Sequence, residues 1–224
     1  MTTVARKEVR CALCGKRSHC DVIGSWNDFG EQDTELRQYA VGMDPLDLFV
    51  VNCPHCGYVA YDLETELQSD RLEEIKQLVA AFYADKLRKK GDLPIYKQYG
   101  LLAQIQQTLP ESDEVIAETF LRAAWKADDL SQDGPATHYR QQAAIYLKGM
   151  LVSCPDESEK MAMQLKLSEV YRRSGEFEPA LQLLKSIEAD NAVPMLGMLV
   201  SALKRLSESK DRRQHFFKEL FSNG

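Results

Sequence analysis

The sequence predicts a mainly helical α+β protein, in which a small N-terminal module with short strands precedes a larger helical domain. Three observations support this fold class. Two Cys-x-x-Cys-Gly turns lie at residues 11–15 and 53–57, and the segment between them is punctuated by glycine and proline. Beyond residue 61, apolar residues recur every three or four positions, which is the helical period.

The two cysteine turns predict one tetrahedral metal site. A Cys-x-x-Cys turn directs two thiolates at the same point, and the glycine after each second cysteine relieves the crowded backbone. We therefore predict that a single structural Zn²⁺ is bound by four ligands: Cys11, Cys14, Cys53 and Cys56. Four thiolates leave no open position for water, which excludes hydrolytic zinc chemistry here. A pair of redox-active dithiols is the alternative.

Three neighbouring side chains could act as spare ligands. Cys20 is the better reserve ligand, whereas His19 is set aside because four thiolates need no fifth donor. His55 lies inside its own turn and is expected to point outward. We assign residues 1–62 to a zinc-ribbon module with a long insert, and residues 47–51 read as a strand entering the second turn. Such a small module needs a metal for stability.

The helical domain is assigned to residues 63–224. Leu72, Ile75, Val79 and Phe82 mark a first helix, and a second begins after Pro94. A third is predicted over residues 112–129 and a fourth over residues 134–152. The breakers Pro155, Gly175, Pro179 and Pro194 then separate three or four more.

One helical pair resembles a tetratricopeptide repeat. Leu167 and Tyr171 take the large positions of its first helix, Gly175 its turn, and Ala180 the small position that allows close approach. A second, degenerate pair is suggested by Leu121, Trp125, Ala144 and Leu151. We expect a compact repeat-like domain packed on the ribbon, because three regular repeats are needed for an independent solenoid.

The whole arrangement resembles a bacterial family called domain of unknown function 2225. The resemblance is carried by the two cysteine turns, which we also call knuckles, by the Cys-Pro-x-Cys-Gly-Tyr sequence at 53–58, and by the Ala-Ala-Trp and Tyr-Arg-Arg-x-Gly elements at 123–125 and 171–175. The insert at 27–33 is similar to an Asn-x-Phe-Gly-x-x-Asp loop found in some members. This resemblance implies a zinc ribbon followed by helical repeats, and it supplies no established activity.

The insert between the knuckles contains a candidate ligand or partner loop, with Asn27, Asp33 and Arg37 as its key residues. The alternative is a turn-rich structural loop with Trp26 and Phe29 tucked under it. An enzyme site would need Asp28, Asp33 or His19 to converge in a pocket as acid or base. No Gly-rich phosphate loop is present, and the pair at 128–129 reads as a solvated helix end.

Composition narrows the function classes. The net charge of −6 provides no global attraction for a polyanion, and the one basic run, at residues 86–90, reads as a helix end. The sequence has neither a signal region nor an apolar run long enough to span a membrane, so we expect a cytoplasmic protein. Our leading hypothesis is an adaptor that binds a protein partner; an enzyme and a ribbon that binds nucleic acid are the alternatives. The oligomeric state is open.

Overall fold

The computed structural model describes residues 2–84, 90, 92–187 and 194–221. Its N-terminal part is built around the two cysteine turns. Strands β1 (Thr3–Arg10) and β2 (Arg17–Ser25) pair antiparallel across the first turn, with Arg10 opposite Arg17. The shorter strands β3 (Val51–Asn52) and β4 (Val59–Ala60) pair in the same way across the second. Each turn is therefore the tip of a hairpin.

The predicted strand at 47–51 is wrong over most of its length, because residues Leu46–Phe49 form a one-turn helix, α1. Pro45 precedes this turn with a helical φ of −64°, and the Asp44 carboxylate accepts a hydrogen bond from the backbone N–H of Leu46 at 3.0 Å. Proline presets the backbone for a first turn and the aspartate caps it. Within the predicted span, the backbone is extended at Val50 and at Val51, the first residue of β3.

The rest of the described chain is helical, which confirms the mainly helical α+β class. Ser112 caps its helix by accepting from the N–H of Val115, and Gly175 ends another with a left-handed φ of +85°. The helices are α2 (Leu72–Phe82), α3 (Ile95–Gln106), α4 (Asp113–Asp129), α5 (Asp133–Ser153), α6 (Glu157–Ser174), α7 (Phe177–Ser186), α8 (Pro194–Glu208) and α9 (Phe217–Phe221).

One apolar core runs through both parts of the described chain. It begins at Val9 in the first hairpin, includes Cys11 and Cys53, and continues through the helices to Val170. A smaller cluster around Leu184 and Leu203 joins α7 to α8. The division at residue 62 stays a prediction.

The predicted repeat pair corresponds to α6 and α7, which pack against each other. Leu167, Ala180 and Leu184 are fully buried there, whereas Tyr171 is half-buried. Likeness to a tetratricopeptide repeat remains a prediction. The basic run at 86–90 lies outside the described residues except for Lys90. None of the described helices is long and apolar enough to cross a membrane.

Candidate functional site

The two cysteine turns have the same backbone geometry. In the first, the N–H of Gly15 donates to the carbonyl oxygen of Cys11 at 2.8 Å; in the second, the N–H of Gly57 donates to the carbonyl oxygen of Cys53 at 2.9 Å. Both glycines are left-handed, with φ of +71° and +86°. A residue with a Cβ is strained in this region, so the glycines are what the turn requires.

Four cysteine sulfurs converge between the turns. The Sγ atoms of Cys11 and Cys56 are 3.7 Å apart, those of Cys14 and Cys53 are 3.8 Å apart, and all four lie within 4.8 Å of one another. Zinc–sulfur bonds of about 2.3 Å at tetrahedral angles require sulfur–sulfur separations of about 3.8 Å. The cluster could therefore hold a metal ion, and its donors fit a tetrahedral thiolate site.

The thiols influence one another's protonation. Contacts from Cys11 and Cys56 hold the pKa of Cys53 well below its usual value, and the contacts with Cys11 and Cys53 raise the pKa of Cys56. One thiolate thus accepts from its neighbours, which keep their protons until a cation displaces them, because metal ligation requires the thiolate form.

The spare ligands considered from sequence lie outside the cluster. Cys20 is buried in β2, with its sulfur 3.7 Å from the Ser18 hydroxyl, and His19 is exposed on the same strand. His55 is exposed, as expected, and its Nε2 lies 3.0 Å from the carbonyl oxygen of Arg17. Behind the second turn, a Cβ on Gly57 would lie 2.4 Å from the Tyr83 ring.

The three candidate residues of the insert are all buried and engaged internally. The Asn27 side chain bonds both backbone groups of Val41, donating at 3.3 Å and accepting at 2.9 Å. Asp33 accepts from the N–H groups of Glu35 and Arg37, at 2.9 and 3.0 Å. These contacts are what a turn-rich structural loop requires. A role in ligand or partner binding stays a prediction.

Two aromatic residues of the insert do not lie where the structural-loop alternative placed them. Trp26 is 51% exposed and Phe29 is 80% exposed, so neither is tucked under the loop. The loop instead buries polar residues, which leaves its aromatic side chains available at the surface. This expectation was wrong because the loop is held by hydrogen bonds and ion pairs and not by an apolar underside.

A buried charge network, which sequence reasoning missed, anchors the insert to the helices. Glu35 is 1% exposed and accepts a bidentate pair from Arg140 at 2.7 and 2.6 Å and a hydrogen bond from the Trp125 indole at 3.2 Å. Arg173 lies 3.5 Å from the same carboxylate. Burial alone would raise the pKa of Glu35, but Arg140 and Arg173 outweigh it and hold the pKa at about 2.

The aspartate pair at the end of α4 belongs to this network, so its assignment to a solvated helix end is wrong. Asp128 accepts from Arg140 at 2.5 Å and from Arg173 at 2.6 Å. Asp129 accepts a bidentate pair from Arg37, both bonds at 2.9 Å. Arg37 is 92 residues from Asp129 and Arg173 is 45 residues from Asp128, so these pairs form only in the tertiary fold.

An apolar groove lies between the inner face of the first hairpin and the start of the helical core. We call this cavity of about 550 Å³ the hairpin groove. Arg122 of α4 closes one side, with its guanidinium 5.7 Å from the Phe49 ring and 5.5 Å from the Tyr61 ring. Trp26 stands edge-on to Phe49 at 5.7 Å. The apolar lining of the hairpin groove includes Val9, Val22, Trp26, Phe49, Tyr61 and Leu63.

The acids and bases required by the enzyme alternative do not share this groove. Asp28 and His19 are exposed, whereas Asp33 is fully buried, with both carboxylate oxygens engaged. Burial and the neighbouring Glu35 raise the pKa of Asp33 to about 6. None of the three residues lines the hairpin groove.

A helical core capped by hairpins that gather four cysteines defines a mainly helical α+β protein with a candidate metal centre. A family model described as an uncharacterized protein conserved in bacteria (DUF2225) matches residues 4–224. The chain therefore belongs to this family, which confirms the resemblance found in its sequence. Comparison with curated proteins and with solved structures gave no match.

Proposed function

We propose that this protein is a zinc-stabilised adaptor that binds a protein partner at the hairpin groove. The observation that carries the proposal is the groove itself, an open apolar cavity with half-exposed aromatic residues beside an arginine. Tryptophan, tyrosine and arginine are the residues that most often dominate binding energy at protein interfaces. The zinc holds the knuckles at the tips of the two hairpins, and one hairpin forms the groove wall.

The charge of the first hairpin, which forms one wall of the groove, favours an acidic partner. Residues 3–25, which form the first hairpin and its turn, contain five basic and two acidic residues, whereas the whole chain carries −6. All five cations, Arg6, Lys7, Arg10, Lys16 and Arg17, are exposed, and Lys7 also lines the groove. We therefore infer that the partner inserts an apolar side chain into the groove and places acidic residues along the hairpin.

Site-specific photo-crosslinking in cells tests this assignment. A photoreactive amino acid replaces Trp26 at the rim of the groove, and a matched control places it at Ile145, which is 61% exposed on α5. We expect a discrete protein adduct from position 26 and none from position 145. The substitution Val22→Asp, which places a charge on the groove wall, should abolish the adduct, whereas Ile145→Asp should not.

Three outcomes would contradict the proposal: no adduct at position 26, equal adducts at both positions, or an adduct that survives Val22→Asp. An adduct removed by nuclease would assign the hairpin to nucleic acid instead, with binding that weakens steeply as salt is added.

Elemental analysis tests the metal independently of any partner. One zinc per chain is expected, and Cys53→Ala should lose it, because three thiolates bind Zn²⁺ more weakly and removal of one ligand opens the shell. Cys154→Ala removes a cysteine outside the cluster and should retain the metal. Purified protein without zinc but with a reversible disulfide would favour the dithiol alternative.

A further inference from the structure

A second cavity, of about 450 Å³, lies on a different part of the molecule from the hairpin groove. Its walls come from the end of α4, the first turns of α5, the end of α6 and the segment at 211–214 that follows α8. Four arginines line it, together with Gln214. Small-molecule sites in proteins have volumes in this range. We call it the arginine cavity.

Three of the four arginines are paired with carboxylates. Arg140 pairs with Glu35, Arg173 with Asp128, and Arg213 with Asp211. The fourth, Arg212, differs: its Nε donates to the carbonyl oxygen of Arg173 at 3.3 Å and its Nη2 to the Thr137 hydroxyl at 2.7 Å. Among the described residues, Arg212 makes no ion pair.

Arg212 is nevertheless held in one place. Its Cδ lies close to Gly175, since a Cβ built on that glycine would be only 3.3 Å from it. Its two hydrogen bonds fix the plane of the guanidinium. Ordering an exposed arginine costs side-chain entropy, which pairing with a carboxylate ordinarily offsets. A guanidinium that is fixed without an anionic partner is preorganised to receive one.

Arg173, on the wall behind it, is 7% exposed and incompletely bonded. Its Nη2 donates to Asp128 at 2.6 Å and its Nη1 lies 3.5 Å from the Glu35 carboxylate, whereas its Nε has no hydrogen-bond partner among the described residues. Buried donors without acceptors are rare in folded proteins and call for an unassigned partner such as an ion. This unsatisfied donor belongs to a residue that lines the arginine cavity, and the observation is separate from that on Arg212.

We propose that the arginine cavity binds a compact oxyanion, the phosphate or carboxylate group of a small molecule, with Arg212 as its direct contact. Arg173 contributes a positive charge from the wall, and Gln214 also lines the cavity. Asp133, also on the lining, disfavours highly charged polyanions, so the expected ligand has a single small anionic group. The site is separate from the cysteine cluster and the hairpin groove, and it is unaffected if the adaptor proposal fails.

Isothermal titration calorimetry with sodium phosphate, with sodium acetate and with citrate as a more highly charged comparison tests the proposal, at an ionic strength held constant by sodium chloride. We expect saturable binding of at least one anion by the full-length protein. Arg212→Gln should weaken it about tenfold or more, because a charged hydrogen-bond donor is lost. Arg71→Gln removes an equivalent exposed charge outside the cavity and should leave the affinity unchanged. Preference for phosphate or acetate identifies the acidic group of the ligand, and citrate should bind no more tightly than the preferred anion.

A second variant keeps the test decisive if Arg212→Gln fails to fold, which circular dichroism would reveal. Thr137→Val removes the hydroxyl that positions Arg212 and should weaken binding about threefold, with the helix intact. Absence of saturable binding by all three anions would overturn the proposal. So would equal affinity of the wild type and both cavity variants, or an equal loss in Arg71→Gln.

Discussion

Replacing Glu35 with glutamine should destabilise the protein strongly, although the two side chains have nearly the same shape. Glu35 is fully buried and is the shared acceptor of Arg140 and the Trp125 indole. A glutamine amide supplies one oxygen and one N–H₂ group, so a donor would face the donors of Arg140 or Trp125. Two buried guanidinium groups, including that of Arg173, would also lose their common negative charge.

Two routes give the magnitude of this loss. Removing one partner of a buried ion pair typically costs about 3–5 kcal/mol. Independently, the pKa of Glu35 falls from 4.5 to about 2 in the folded protein. At about 1.4 kcal/mol for each tenfold change in proton affinity, this difference corresponds to about 3 kcal/mol. We therefore expect a loss of about 3–5 kcal/mol in the free energy of unfolding at pH 7.

Urea unfolding at pH 7 measures this loss, and Glu8→Gln is the matched control. Glu8 pairs with Arg17 at 3.4 Å on the exposed hairpin, where an ion pair contributes less than about 1 kcal/mol. Because the folded pKa of Glu35 is depressed, its stabilisation is fully present above pH 4.5 and is lost as pH falls through about 2. The difference between wild type and Glu35→Gln should narrow over that range. A loss at pH 7 no larger than that of Glu8→Gln would refute the reasoning.

Two further predictions concern the second cysteine turn and the insert. Gly57→Ala should lower the free energy of unfolding, measured in urea, by about 2–4 kcal/mol, because the backbone is left-handed there and the new Cβ would clash with the Tyr83 ring. The hydrogen bond between the Tyr83 hydroxyl and Asn52 restricts movement of that ring. Gly42→Ala, at φ +96° with no atom within 4 Å, should cost only about 1 kcal/mol, and equal losses would contradict the clash. The pKa of Asp33 is raised to about 6 in the folded protein, so its ionisation lowers the free energy of unfolding as pH rises from 3.8 through 6. Asp33→Asn should remove about 3 kcal/mol of this pH dependence between pH 4 and 7.5, and an unchanged profile would contradict it.

The features predicted well from sequence are those decided by local physics. The cysteine turns depend on a spacing of three residues and on glycines that the backbone requires, and both are explicit in the sequence. Helix α4 begins one residue after Ser112, and α6 ends one residue before Gly175, because caps act within one turn. The one-turn helix α1 was missed because five apolar-rich residues fit a buried strand as well as a helix.

The charge network could not be predicted because its pairs are distant in sequence. Glu35 and Arg140 are separated by 105 residues, and Arg37 and Asp129 by 92. Taken singly, each of these charged residues is expected at the solvated surface, because charged side chains are seldom buried unless they are paired. The sequence signal available was weak: Arg140 lies on α5 among Ala136, Ala143 and Ala144, on the apolar side of its helix.

The two hairpins and the insert are held to the helical core by different forces. They should therefore respond differently to removal of the metal and to loss of the Glu35 charge. The hairpins contribute Val9, Val51 and the cysteines to the apolar core, and a metal would join their tips. The insert instead buries polar side chains, of which Glu35 and Arg37 pair with charged partners on α5 and α4. Chelation should therefore loosen the knuckles first and leave the insert docked, whereas Glu35→Gln should release the insert and leave the knuckles able to bind metal. Hydrogen exchange of the backbone amides distinguishes the two patterns, and coincident loss of protection under both perturbations would show that the insert and the knuckles open as one unit.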